Sequence, residues 1–258
     1  MMNISFYKYQ GTGNDFVVLD NRNGAYDALS TEQVAKLCDR KFGVGADGLM
    51  MLALQEGYDF RMIYFNADGQ EGSMCGNGGR CLVRFANDKG ILSDHYRFMA
   101  VDGEHEARII DGRIHLKIQD VHQVEKKENV SILNTGSPHY VCFVDDVEGM
   151  DVFGEGKKIR YSNAFREKGI NVNFVCKNGN GIRVRTYERG VEAETLSCGT
   201  GVTAAAIANS AINGKQITSI KVEGGELSVS FDRVNDQHFT DVWLIGPAEF
   251  VFSGVIHI

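Results

Sequence analysis

The chain has 258 residues, 43% of them apolar, and a formal net charge of −7 with no cluster of Lys and Arg. That length can bury a large core in one or two domains, and an acidic chain without a basic stripe argues against nucleic acid as a partner. No apolar run reaches spanning length and no secretory h-region follows Met1-Met2-Asn3, so a soluble, cytoplasmic protein with reduced thiols and no membrane partner is expected.

In chain order, Ser5 to Tyr9 and Phe16 to Asp20 read as strands around the turn Gly11-Thr12-Gly13-Asn14. A helix is expected from Ser30 or Thr31, with Glu32 and Gln33 in its first turn and Val34, Leu37 and Cys38 on its apolar side, ending before Gly43. Leu49 to Leu54 and Phe60 to Phe65 follow as buried strands. Gly76 to Asn87 reads as a second helix. Tyr96 to Val101 and two strands joined by Asp111-Gly112 come next, because Asp-Gly supplies the positive φ of a tight hairpin. The second half continues with strands near Val141 to Val144, Val172 to Val175 and Ile182 to Tyr187, then a helix from Gly199 to about Asn213. Its run Thr203 to Ala208 is small and apolar all round, which predicts a helix buried inside a sheet. Gly224-Gly225 turns a further hairpin, and Glu249 to Phe252 is a last strand expected to return to the first lobe.

The fragment Gly43-Val44-Gly45-Ala46-Asp47-Gly48 matches the dinucleotide-binding pattern G-x-G-x-x-G. That pattern works only between a strand and a following helix. Here a helix precedes it and a strand follows, so nucleotide binding is rejected. The six cysteines contain no C-x-x-C pair and no zinc-type Cys/His spacing, so no metal is expected.

The strongest signal is a repeat. Thr12-Gly13-Asn14 followed by an apolar run and Asp20 is echoed by Thr135-Gly136-Ser137, an apolar run and Asp145. Cys75 lies 61 residues after Asn14, and Cys198 lies 61 residues after Ser137. Each cysteine opens a glycine-rich turn into a helix: Cys75-Gly76-Asn77-Gly78-Gly79 and Cys198-Gly199-Thr200-Gly201. Helix N-termini favour thiolates and bound anions through unpaired N–H groups and the helix dipole. Two such thiols facing one carbon, one removing a proton and the other delivering one, would invert a stereocentre. The other four cysteines fit the common role of a small buried hydrophobe.

These motifs, with Asn66-Ala67-Asp68-Gly69 and Glu188-Arg189-Gly190-Val191-Glu192-Ala193-Glu194-Thr195, resemble the diaminopimelate epimerase family over nearly the whole chain. The resemblance implies an α/β (α+β) fold of two pseudo-symmetric lobes, residues 1–119 and 120–247 with about 248–258 returning to the first. Each lobe would be a curved mixed sheet wrapped around a central helix, with the site in the cleft between them. It implies Cys75 and Cys198 as acid and base without a cofactor, and His139 and Glu188 as groups tuning the thiols. It implies the backbone N–H groups of Gly76, Asn77, Gly199 and Thr200 as the hold on the substrate's α-carboxylate. Asn14, Asn66, Asn171, Glu188 and Arg189 would contact the rest of the substrate, diaminopimelate, and a homodimer is expected. Ser137 stands where many members carry an Asn and Gly48 where some carry a Gln, so Ser137 is a weaker candidate. A racemase of another amino acid and an inactive amino-acid-binding homologue are the alternatives.

Overall fold

The computed structural model of the chain describes residues 2–258. The chain divides into two compact units, one comprising residues up to Leu116 with Pro247–Ile258 and the other Lys117–Gly246.

In the first unit the strands are β1 (Asn3–Gly11), β2 (Asn14–Asp20), β3 (Gly48–Ala53), β4 (Phe60–Asn66), β5 (Tyr96–Ala100), β6 (Gly103–Ile110), β7 (Arg113–Lys117) and β17 (Glu249–His257). They pair in the order β17-β1-β2-β3-β4-β5-β6-β7, with β2–β3 and β4–β5 parallel and the rest antiparallel. Helix α1 (Thr31–Cys38) carries a capping box, Ser30 accepting from the Gln33 N–H while the Gln33 side chain accepts from the Ser30 N–H. Helix α2 (Gly76–Asp88) packs on β1 to β4 and β17 and is buried along most of its length. Asp111 and Gly112 both take positive φ, +50° and +75°, at the tight turn between β6 and β7.

The second unit repeats the plan. Its strands are β8 (Val124–Lys127), β9 (Val130–Asn134), β10 (Pro138–Phe143), β11 (Asn171–Asn178), β12 (Gly181–Glu188), the short β13 (Ala193–Thr195), β14 (Gly214–Val222), β15 (Gly225–Arg233) and β16 (Phe239–Gly246). The order is β8-β9-β10-β11-β12-β14-β15-β16, again with the third and fifth pairings parallel, and β13 pairs with β12. Helix α4 (Gly199–Asn209) touches strands β9 to β12 and β14 to β16, so the sheet wraps it. That environment accounts for its lack of a polar face.

Several features depart from the reading of the sequence, among them strands β8 and β9, which it did not include. Helix α4 ends at Asn209 rather than near Asn213, because the Ser210 hydroxyl donates back to the Ile207 carbonyl at 2.7 Å and the chain turns into β14 at Gly214. Helix α3 (Val152–Arg160) was not expected. Gly154 and Gly156 lower its propensity, yet Asp151 caps it by accepting from the Gly154 N–H, and a Cβ at Gly156 would lie 2.4 Å from the Tyr187 Cβ. The last strand runs to His257 and pairs with β1 along its length.

Candidate active site

Each cysteine of interest is the N-cap of its unit's buried helix. Cys75 precedes α2 with extended backbone (φ −107°, ψ 120°) and Cys198 precedes α4 likewise (φ −122°, ψ 110°). Neither side chain caps its own helix, so the first-turn N–H groups of Gly76, Asn77, Gly199 and Thr200 sit at the positive end of the helix dipole, where anions are favoured.

Around Cys75, the turn between β1 and β2 is tight. Thr12 takes φ +53°, an uncommon value for a side chain with a branched Cβ. Arg80, fully buried on α2, donates to Thr12 Oγ1 at 3.2 Å, to the Gly76 carbonyl and to the Pro247 carbonyl. This anchors the turn to the helix, and burial holds the Arg80 pKa down to about 10. Asn14 then lies against the cysteine, its Oδ1 3.7 Å from Cys75 Sγ and 3.2 Å from Asn77 Nδ2. The Asn14 amide nitrogen donates to Asp47 Oδ2 at 2.7 Å, and Arg40 pairs with Asp47 and Asp15. Burial pushes the Asp15 carboxyl up, but bonds from Arg40 and Lys8 outweigh it and bring it to about 2. Asn66 is exposed at the end of β4 opposite Gly48. A Cβ at Gly48 would lie 2.6 Å from the Tyr64 ring, so Tyr64 occupies the space a side chain there would need.

Around Cys198, Thr200 Oγ1 lies 3.6 Å from Sγ, 2.9 Å from His139 Nε2 and 3.2 Å from Ser137 Oγ. Asn171 donates to Ser137 Oγ and accepts from the Arg189 backbone N–H at 2.9 Å. Burial, and then the Arg189 charge, hold His139 down to about 3, so it is neutral at pH 7. Glu188 is half-buried and accepts from Thr195 Oγ1. The exposed Arg189 guanidinium donates to the Lys168 carbonyl and makes no ion pair with a carboxylate among the described residues. The candidate residues therefore fall into two clusters: Asn14, Cys75, Gly76 and Asn77 in one unit, and Ser137, His139, Asn171, Glu188, Arg189, Cys198, Gly199 and Thr200 in the other. Asn66 stands apart from the Cys75 contacts, on the strand end beside Gly72. Among the remaining thiols, burial pushes Cys38 and Cys81 up to about 12, which keeps them protonated.

The reading of the sequence missed Asp47, Arg80, Thr135, Asn173 and Thr186. Asp47 and Arg80 orient the Cys75 cluster, while Thr135 donates to the Thr200 carbonyl at 2.8 Å. Asn173 and Thr186 are buried beneath His139. Their one available signal was polar residues at core-facing positions of apolar strands.

Two mixed sheets of matching strand order, each wrapped on a helix that starts with a cysteine, define a duplicated α/β fold of the epimerase and isomerase type. The structure aligns over its full length with a phenazine biosynthesis protein of the PhzF family from Bacillus anthracis (TM-score 0.75, 14% identity, all of both chains). It also aligns with a hydroxyproline epimerase from Agrobacterium vitis (TM-score 0.66, 13% identity, 98% of this chain and 92% of that one). The sequence matches the diaminopimelate epimerase family over residues 6–124 and 131–251. It is 50% identical to a diaminopimelate epimerase from Flavobacterium psychrophilum over 258 residues, covering 98% of this chain and 100% of that protein. It is 42% identical to one from Chlorobaculum tepidum, covering 95% and 98%. The chain belongs to the diaminopimelate epimerase family.

Proposed function

We propose that Cys75 and Cys198 are the acid and base of this epimerase, each unit supplying one thiol. The enzyme interconverts L,L- and meso-diaminopimelate, a step of lysine and peptidoglycan-precursor synthesis. One thiolate takes the proton from the α-carbon; the other thiol gives its proton to the opposite face, and the two sulfurs exchange protonation states in each turnover. The α-proton is very weakly acidic, so the developing charge on the α-carboxylate needs fixed donors, which the N–H groups of Gly76, Asn77, Gly199 and Thr200 supply. Arg189 meets the distal carboxylate. Asn14, Asn66, Asn171 and Glu188 hold the rest of the substrate, with Ser137 beside them.

The observation carrying this reading is the repeated placement of a cysteine at the N-terminus of a buried helix, at the same position of two units with the same strand order. The test is incubation of the reduced protein with L,L-diaminopimelate in D₂O. Conversion to the meso form with one α-deuterium is expected, and Cys75→Ala and Cys198→Ala should each abolish conversion. Conversion surviving either substitution would overturn the assignment. We further place the enzyme in the cytoplasm as a homodimer. The exposed apolar side chains Phe250, Val251, Phe252 and Val255 on β17 support the second point, which sedimentation measures directly.

A further inference from the structure

The two units share strand register, so their framework positions can be matched one by one. Phe16 on β2 pairs with Gly48 on β3, and Met50 pairs with Tyr64 on β4. In the second unit His139 pairs with Asn171, and Asn173 pairs with Thr186. Phe16, Met50 and Tyr64 thus occupy the positions of His139, Asn173 and Thr186. The match extends to the helices: a Cβ at Gly78 would run into the Met50 side chain, and a Cβ at Gly201 would lie 2.4 Å from Asn173 Oδ1. One unit fills this layer with apolar and aromatic groups. The other buries a His, an Asn and a Thr there, exposed by 0%, 0% and 4%. Burying polar groups yields no more stability than well-packed apolar ones, and the first unit builds the same framework without them.

The hydrogen bonds of the polar layer run one way. Thr186 Oγ1 donates to Asn173 Oδ1 at 3.0 Å, and Asn173 Nδ2 donates to the Tyr140 carbonyl at 3.1 Å. A carbonyl only accepts, so the amide is oriented and its nitrogen also donates to His139 Nδ1 at 3.1 Å. His139 therefore carries its proton on Nε2 and donates to Thr200 Oγ1 and Ser137 Oγ. From the other side Asn171, oriented by the Pro138 carbonyl and the Arg189 N–H, donates to Ser137 Oγ at 3.1 Å. Ser137 receives two donors and turns its own proton to Thr200, which turns its proton to Cys198 Sγ. In the first unit the sense is reversed. The Asn14 amide N–H donates to the Asp47 carboxylate, which leaves Asn14 Oδ1 as an acceptor toward Cys75 Sγ.

We propose that the outer layer of the second unit sets the resting protonation state of Cys198, its donors holding the sulfur as the thiolate. Asn173 and Thr186 are the positioning residues that do so, through the His139 tautomer. The inference rests on the acid–base reading of both cysteines. An Asn173→Asp substitution presents an acceptor to His139 Nδ1, moves the proton there and makes Nε2 an acceptor. The Ser137 and Thr200 protons then turn from the sulfur toward the ring.

The test has two readouts. Nitrogen-15 NMR of the imidazoles, with His139 assigned by comparison with His139→Gln, should show the wild-type proton on Nε2. The acid limb of the kcat/KM profile, which reports the free enzyme's base, should move up by about one pH unit in Asn173→Asp, as expected for loss of a hydrogen bond to a charged group. The milder Thr186→Val should move it the same way by less, and Thr186→Ser should restore it. A proton on Nδ1 in the wild type, or an unmoved acid limb in folded Asn173→Asp or Thr186→Val, overturns the proposal while leaving two-base chemistry standing. Conversion of L,L- to meso-diaminopimelate persisting in Cys198→Ala would instead overturn the acid–base reading itself.

Discussion

Replacing His139 by Gln should flatten the dependence of stability on pH. The imidazole is buried, and that burial, aided by the Arg189 charge, lowers its pKa from 6.5 to about 3 in the folded chain. Because the folded value lies below the unfolded one, the stabilisation from the neutral ring is present above pH 6.5. It is lost as the pH falls toward 3, since the unfolded chain takes up a proton that the folded chain refuses. The slope approaches about 1.4 kcal/mol per pH unit, and integrating from pH 7 to pH 5 gives a loss of about 2 kcal/mol from this group. His115, also lowered by burial, contributes in the same direction in both proteins and cancels in the comparison. Urea unfolding followed by the fluorescence of Trp243 suits the measurement, because this single tryptophan is buried in β16 of the same unit as His139. The wild type should lose about 2 kcal/mol more than His139→Gln between pH 7 and pH 5. Equal losses would refute the assignment of a buried neutral imidazole.

Arg189→Met should raise KM for diaminopimelate by about 10- to 100-fold with a smaller change in kcat, the range expected for losing a charge-assisted bond; steady-state kinetics checks it. Arg80→Met should lower stability by about 3 kcal/mol or more, since Thr12 Oγ1 and the Gly76 and Pro247 carbonyls lose their shared donor, read as a drop in unfolding midpoint. Gly69→Ala should lower stability by more than about 1 kcal/mol, because Gly69 has φ +83° and a Cβ there would lie 2.1 Å from the Thr31 carbonyl; thermal unfolding measures it.

Much of the fold was legible because it rests on local signals. Ser30 and Gln33 announce α1, Asp111-Gly112 its hairpin, and the unbroken small apolar run after Gly201 a helix with no exposed face. Helix α3 was not legible, since its two glycines read as loop and its stability comes from Asp151 at the cap and from Tyr187 packing against Gly156. Strands β8 and β9 were missed for a different reason. Val124–Lys127 is mostly exposed, so no buried run marks it, and its pairing with Val130–Asn134 is what makes it a strand. The end of α4 was misjudged because nothing in Ala211-Ile212-Asn213 opposes a helix. The stop is a side-chain bond from Ser210.

The candidate site was legible at the level of the motifs and illegible one layer beneath them. Equal spacing pairs Asn14 with Ser137 and Cys75 with Cys198, and those pairs invite the expectation that the two halves are chemically alike. The difference lies across strands rather than along them. Asn173 alternates correctly with Val172 and Phe174 for a strand, but alternation assigns a side chain to a face and not to a partner. Only the pairing of β11 with β10 and β12 brings His139 and Thr186 to Asn173, and only the orientation of that one amide decides where the imidazole proton resides. Asp47 is hidden in the same way, inside a glycine-rich fragment that looks like a nucleotide loop. Its backbone N–H reaches the Asp15 carbonyl, and its carboxylate turns Asn14 toward the cysteine. A duplicated framework can therefore bring two similar thiols to equivalent positions while the residues behind them, free to diverge, give one a donor and the other an acceptor.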